Sequence, residues 1–186
     1  FIRAYRTVII KPSTGSGGAG VVKISLSGSK SYTVHSGARR SVYAGQAKLF
    51  AALKKRISFS RYIVQQYIPL ASVSGRPFDI RVMLQRRKGG RWIITGELAK
   101  VAGRGYFVTN IARSKGRVLP LRTAIQSSNM QGRSAASAHK SVRSVALATA
   151  NQLVRNYRYL RITGLDMGID RRGKVWIIEA NFTPAK

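Results

Sequence analysis

Apolar residues in this chain come in short runs broken by Gly, Pro and Ser, and none approaches the roughly 18 residues of a membrane span. That punctuation predicts strands and two amphipathic helices. Residues 7–11, Thr-Val-Ile-Ile-Lys, form a β-branched run that stops at Pro12, as strands do. A Gly/Ser/Thr loop follows over 13–20, and an apolar strand pattern resumes over 21–26. Turn residues between 27 and 45, flanking Tyr32-Thr33-Val34, predict a further hairpin. Within 46–57, Leu49, Phe50, Leu53 and Ile57 fall at helical spacing. Residues 62–70 predict a strand running out into a loop, broken by Pro69. Further strands are expected at 78–86, 92–102 and 106–111, and the Ser-, Gly- and base-rich stretch 113–133 reads as a mobile loop. A helix is expected over 138–160, with Val142, Val145, Ala146, Leu153 and Tyr157 on one face. The chain closes on a β-hairpin, 162–170 and 175–181, turning at Arg171-Arg172-Gly173. The class is α+β.

At 186 residues the chain suits one domain or two very small ones. It can bury roughly 70% of its unfolded surface without a disulfide or a metal. The absence of cysteine excludes disulfides, thiol catalysis and Cys-based zinc sites, and His35 and His139 are too few for a His-rich metal site. The apolar start is too short for a signal peptide, so the chain reads as soluble. Beginning at Phe1 rather than Met, it is expected to lack an N-terminal piece. The charge is extreme: 34 Lys and Arg against 5 Asp and Glu, a net +29. Such a surface attracts any polyanion, nucleic acid or anionic polymer alike. It also makes the five acids informative. Asp79, Glu97, Asp166, Asp170 and Glu179 each mark a position where a base would not serve.

Three polar residues of the last hairpin converge. Glu179 and Asn181 lie two apart on one strand and so share a face, and pairing around the turn can bring Asp166 to meet them. Two carboxylates and an amide oxygen are hard donors of the kind that hold Mg²⁺ when nucleotide phosphates complete its shell. A lone strand carboxylate is ordinarily just solvated. Here Trp176, Ile177, Ile178 and Ala180 are apolar, which predicts that Glu179 sits in a core strand, where an unpaired charge is costly. At the other end of the chain, Lys11 precedes the glycine-rich run Ser13 to Gly20. Backbone N–H groups of such a turn can approach phosphate oxygens, with a lysine as counter-charge. The run is neither a Walker loop nor a dinucleotide-binding turn, because no helix follows it.

The order of these motifs resembles that of ATP-grasp ligases. It runs from the strand ending in Lys11-Pro12 and the glycine loop through Val64-Gln65-Gln66-Tyr67-Ile68, Asp79-Ile80-Arg81 and Asn110 to Asp166, Glu179-Ala180-Asn181 and Pro184. The wording Gly-Arg-Pro-Phe-Asp-x-Arg-Val, Val-Ala-Gly, Val-Thr-Asn and Gly-Leu-Asp-x-Gly-Ile-Asp is similar to that of the YheC/YheD-like endospore coat-associated ATP-grasp proteins. The resemblance implies an ATP-grasp fold, two α+β subdomains gripping a nucleotide, at about 1–70 (ATP-binding) and 71–186 (catalytic and metal-binding). The domain that precedes them in related ligases is expected to be missing from this sequence. It implies an ATP- and Mg²⁺-dependent ligase that joins a carboxylate to an amine or similar nucleophile through an acyl phosphate. A cytoplasmic, spore-associated location is also implied.

By the same resemblance Lys11 contacts the α-phosphate and adenine side, and Ser13, Gly15, Ser16, Gly17, Gly18 and Gly20 belong to the loop that closes over the phosphates. Gln65, Gln66, Tyr67 and Ile68 form the hinge that reads adenine, with Asp79 near the ribose. Arg81, Lys100, Asn110 and Arg113 line the catalytic pocket, and Asp166, Glu179 and Asn181 hold one or two Mg²⁺ ions. Asp170 reads as a turn residue, and Glu97 has no assigned role. The end Asn181-Phe182-Thr183-Pro184 departs from the Asn-Ser-Lys-Pro-Gly of the spore group, and the basicity departs from ATP-grasp enzymes generally. The alternative reading is a non-catalytic polyanion binder on the same scaffold, with Tyr106-Phe107 and Tyr157-Arg158-Tyr159 stacking on bases.

Overall fold

Two antiparallel sheets, each with its own hydrophobic core, organise the computed structural model, which describes residues 1–14, 17–57, 61–131 and 134–182. The first sheet comes from the N-terminal stretch. A single turn α1 (Ile2–Tyr5) leads into β1 (Thr7–Pro12), β2 (Val22–Ser27), β3 (Ser31–Ser36), β4 (Arg39–Ala44), helix α2 (Gln46–Ile57) and β5 (Tyr62–Gln66). The strands pair in the order β4-β3-β2-β1-β5. Period-two alternation puts Val8, Ile10, Val22, Ile24, Leu26, Tyr32 and Val34 on the face that α2 covers with Leu49 and Leu53. Phe50, expected on that helical stripe, is exposed instead, because only the i, i+4 pair Leu49–Leu53 is buried against the sheet.

The second sheet is built from β6 (Ser72–Val73), β7 (Arg76–Arg86), β8 (Trp92–Val101), α3 (Ile111–Ser114), β9 (Arg117–Pro120), α4 (Leu121–Gln126), α5 (Ala135–Asn156), β10 (Ile162–Ile169) and β11 (Val175–Asn181). Its order is β11-β10-β7-β8-β9, with β6 paired to β7. Phe78, Ile80, Val82 and Leu84 alternate into the core from β7, and Leu165, Met167 and Ile169 from β10. Helix α5 lays Ala138, Val142, Ala146 and Ala150 on them, an i, i+4 row of small residues that lets the helix approach the sheet closely. Ser134 starts that helix, its Oγ accepting from the Ser137 N–H at 3.2 Å. Glu97 of β8 finds its role here. It bonds His139 Nε2 through Oε1 and accepts from Arg143 Nη1 at 2.9 Å through Oε2, tying β8 to α5. No helix among the described residues is long and apolar enough to cross a membrane.

Several expectations need correction. Residues 106–110 are not a strand; Phe107 to Asn110 turn inward to line a cleft, and the Asn110 side chain caps α3 by accepting from the Arg113 N–H. The stretch 113–133 is no mobile loop over its described part, since β9 and α4 form within it and bury Leu121, Ala124 and Ile125 at helical spacing. Gly132 and Arg133 lie outside the described residues. Helix α5 runs 135–156 rather than 138–160, leaving Tyr157 as its half-exposed C-cap. Strand β5 ends at Gln66 rather than Leu70.

Candidate functional site

The sheets face each other across a cleft of about 540 Å³. One wall presents Ile9 and Lys11 from β1, Ser13, Thr14, Gly17 and Gly18 from the glycine turn, and Gln65 from β5. Gln66, Tyr67, Ile68 and Leu70 connect the two walls. The opposite wall presents Asp79 and Arg81 from β7, Lys100 from β8, Asp166 from β10, and Glu179 and Asn181 from β11. The register explains why these side chains meet. Asp79 pairs with Lys100, Arg81 with Asp166, and Asp166 with Glu179, so all five share one face of the sheet. A bulge between Asp166 and Met167 follows directly in the β10–β11 ladder.

Among the sequence-predicted residues, Gly20 and Arg113 are not part of the lining. Gly20 is needed for shape: its φ is +71°, and a Cβ there would meet Pro12 Cγ at 2.8 Å. Arg113 acts on the glycine turn from outside, its Nε donating to the Gly17 carbonyl at 3.0 Å. Gly15, Ser16, Thr183 and Pro184 lie outside the described residues. Glu179 departs from expectation: β11 is an edge strand, and the side chain is 47% exposed, with Lys11 Nζ 3.6 Å away. Its apolar neighbours do not bury it: Ile178 lines the cleft beside it, and Ile177 is itself exposed, which is why they misled. Asp170 holds the hairpin turn as expected, accepting from the Arg172 and Lys174 N–H groups and from the Trp176 indole.

The deepest contacts are charged. Arg81 grips Asp166 with two parallel bonds of 2.8 Å, and Lys100 donates to Asp166 Oδ1 at 3.0 Å. Burial works against the Arg81 charge, yet the bond and charge of Asp166, with Asp79 and Glu179 behind it, hold its pKa above the ordinary arginine value. Asp79 is only 7% exposed. Thr109 Oγ1 donates to its Oδ2 at 2.5 Å, while Lys100 Nζ lies 3.3 Å from Oδ1, near enough to pair in charge but not aligned as a hydrogen bond. Burial pushes the Asp79 pKa up to about 6, aided by the Asp166 charge and opposed by Lys100 and the Thr109 bond. Three cations, Lys11, Arg81 and Lys100, thus balance three carboxylates within a molecule of net charge +29. Thr109 was not picked out by sequence reasoning, entering only within the family wording Val-Thr-Asn, and Phe107 entered only as a base-stacking ring of the alternative reading.

The raised Asp79 pKa has a testable sign. Between about pH 4 and 6 the folded state holds a proton that the unfolded chain has released, so stability falls as pH rises through that window. Asp79→Asn is expected to flatten this dependence, a difference on the order of 3 kcal/mol at most. Urea midpoints of both proteins at pH 4.5 and 7 provide the check; parallel shifts in the two would refute it.

The donor set fits a hard cation. Asp166, Glu179 and Asn181 supply two carboxylates and an amide oxygen on one face, and Asp166 Oδ2 takes a single hydrogen bond, leaving a lone pair. Among the described residues no group of three or more His, Asp or Glu could hold a metal.

Comparison with known proteins places this architecture. A family model for YheC/D-like ATP-grasp proteins matches residues 1–186. The endospore coat-associated protein YheD of Bacillus subtilis is 26% identical over 189 residues, covering 98% of this chain and 40% of YheD. D-alanyl-alanine synthetase A of Vibrio cholerae superposes with a TM-score of 0.56 at 11% identity, covering 97% of this chain and 43% of that one. N5-carboxyaminoimidazole ribonucleotide synthetase, solved as an ADP complex, gives a TM-score of 0.53 at 15% identity, covering 99% of this chain and 37% of that one. The chain therefore spans less than half the length of these relatives.

Proposed function

Because the chain belongs to the YheC/D-like ATP-grasp family, we propose that its cleft binds Mg-ATP and uses it to join a carboxylate to an amine or similar nucleophile. The observation that carries this reading is the convergence of Lys11 and the glycine turn of one sheet on the Arg81, Lys100, Asp166 and Glu179 cluster of the other. Lys11 and the turn residues Ser13, Gly17 and Gly18 take the phosphates, and the 65–68 segment takes the adenine. Asp166, Glu179 and Asn181 would hold Mg²⁺, which would supply positive charge against the transferring phosphoryl group. The carboxylate oxygen of one substrate attacks the γ-phosphorus as the bond to the ADP oxygen breaks. The amine then attacks the acyl carbon, phosphate leaves, and the amine proton passes to solvent. Arg81 and Lys100 are fixed in place before reaction and stabilise the developing negative charge without reorganising. Asp79, paired with Lys100, positions that lysine. Asn110 and Arg113 hold the glycine turn over the phosphates. Nothing in this scheme needs a covalent nucleophile.

The second reading, a polyanion binder without catalysis, draws on the net charge but leaves three cleft carboxylates without purpose. A thermal-shift series decides between them. Millimolar Mg-ATP at about a hundred times its Kd should add roughly 2.7 kcal/mol, some 5–10 °C for a chain of this size. ATP alone should give less, and sodium phosphate almost nothing. Glu179→Gln should remove the Mg²⁺ increment while leaving the melting temperature of the free protein nearly unchanged. Equal shifts with phosphate and Mg-ATP would leave only surface attraction of anions.

A further inference from the structure

All five carboxylates have internal partners. Asp79, Asp166 and Glu179 pair within the cleft, Glu97 pairs with His139 and Arg143, and Asp170 is taken by its turn. Among the described residues the surface elsewhere therefore carries positive charge without a side-chain carboxylate to balance it, and one place concentrates it beside exposed rings. At the β7–β8 turn, Arg87, Lys88 and Arg91 are exposed, and next to them lie Arg158 and Arg161 of the segment after α5. Arg86 fastens the two segments together. Its Nε donates to the Gly90 carbonyl at 3.2 Å, its Nη1 to the Arg158 carbonyl at 3.1 Å, and its backbone N–H to the Arg161 carbonyl at 2.7 Å. Among the described residues, the five remaining cations form no ion pair with a carboxylate.

In the middle of this cluster Tyr159 is 94% exposed. Beside it Tyr157 stands edge-on to Phe182, ring centroids 4.6 Å apart, with both rings partly open to solvent. A tyrosine exposed to this extent contributes nothing to the core, and its ring can stack only on a partner from outside. Charge alone fits any polyanion; charge with free aromatic faces fits one whose bases are unstacked, since base–aromatic stacking is sequence-tolerant and strong. A duplex keeps its bases inside and cannot use Tyr159. β11 ends at Asn181, which still lines the cleft, but none of the residues of this surface does, so it lies outside the nucleotide cleft.

We propose that the surface formed by the β7–β8 turn and the 157–161 segment is a binding site for single-stranded nucleic acid, separate from the ATP cleft, with Tyr159 as its stacking platform and Arg87, Lys88, Arg91, Arg158 and Arg161 as its phosphate contacts.

Fluorescence anisotropy of the full chain with a labelled 20-mer of oligo-U, at fixed salt, tests this. Tyr159→Ala should weaken binding about five- to a hundredfold, while its competition by polyphosphate stays as in the unaltered protein. The triple change Arg87→Ala, Lys88→Ala, Arg91→Ala should weaken binding far more than Arg39→Ala, Arg40→Ala, Lys48→Ala, which removes equal charge from β4 and α2. Circular dichroism melts confirm that each variant is folded. If Tyr159→Ala binds as well as the unaltered chain, if a duplex of the same length binds as tightly, or if the two triple variants fall alike, the site does not exist and only diffuse attraction remains. Unchanged Mg-ATP thermal shifts in Tyr159→Ala keep this outcome independent of the cleft's function.

Discussion

Asp166→Ala is expected to lower stability by about 2–4 kcal/mol and to abolish the Mg-ATP-dependent thermal shift. The change leaves Arg81 and Lys100 facing each other without the carboxylate that accepts three hydrogen bonds from them. Stripping one partner from a buried pair typically costs 3–5 kcal/mol. The side chains here keep 15–25% exposure, so water recovers part of that. For a chain of this length the loss amounts to roughly 5–15 °C in melting temperature. Asp166→Leu combined with Arg81→Leu should regain much of the stability, because two apolar groups replace a pair that was expensive to desolvate. The Mg-ATP shift should not return with it. Guanidinium melts of the single and double variants, each with and without Mg-ATP, separate the two effects; recovery of ligand response in the double variant would contradict the assignment of Asp166 to the metal.

Gly103→Ala should be more damaging still, at least about 3 kcal/mol. A Cβ at residue 103 would lie 1.7 Å from the Ser114 carbonyl oxygen, a backbone atom that cannot rotate away. Gly116 answers it on the neighbouring segment, where a Cβ would sit 2.1 Å from the Val101 carbonyl oxygen. These two glycines let the chain leaving β8 cross the α3–β9 junction at backbone contact. The crossing sets the path of residues 107–110 along the cleft wall, so Gly103→Ala should also weaken Mg-ATP binding in whatever fraction remains folded. Chemical denaturation gives the first quantity and nucleotide titration the second. A variant of unchanged stability would mean that the junction can shift by more than an ångström without loss.

Period and punctuation made most of the elements readable. Helix α2 has the bounds its apolar spacing predicted, and the closing hairpin holds Asp166 opposite Glu179 as the turn at Gly173 required. Family wording supplied the rest of the cleft, from Lys11 to Asn181. What stayed hidden depended on tertiary contact. Leu121, Ala124 and Ile125 gave too short an apolar pattern to stand out from the Ser- and Arg-rich stretch around them, and only packing under α5 makes them a helix. The sequence of β11 looked apolar throughout, but it does not say which strand is an edge, so the exposure of Glu179 was missed. Glu97 resisted explanation because its partners His139 and Arg143 lie more than forty residues away. One-turn spacing of those two bases on α5 is visible in the sequence, yet nothing local connects them to β8.

Among the described residues the two cores have no shared member: none buried under the first sheet packs in the cluster under the second. The contacts that join the walls include Lys11 with Glu179, Arg113 with the Gly17 carbonyl, and His35 with the Gly105 carbonyl and the Phe107 ring. Moving the walls apart therefore opens neither core. Since heat-capacity change tracks apolar surface brought into water, opening of the cleft should have a heat capacity close to zero, and its equilibrium should respond to ionic strength far more than to temperature. Breathing of the jaws and melting of the fold then obey different thermodynamics, and cooling the protein would not shut it.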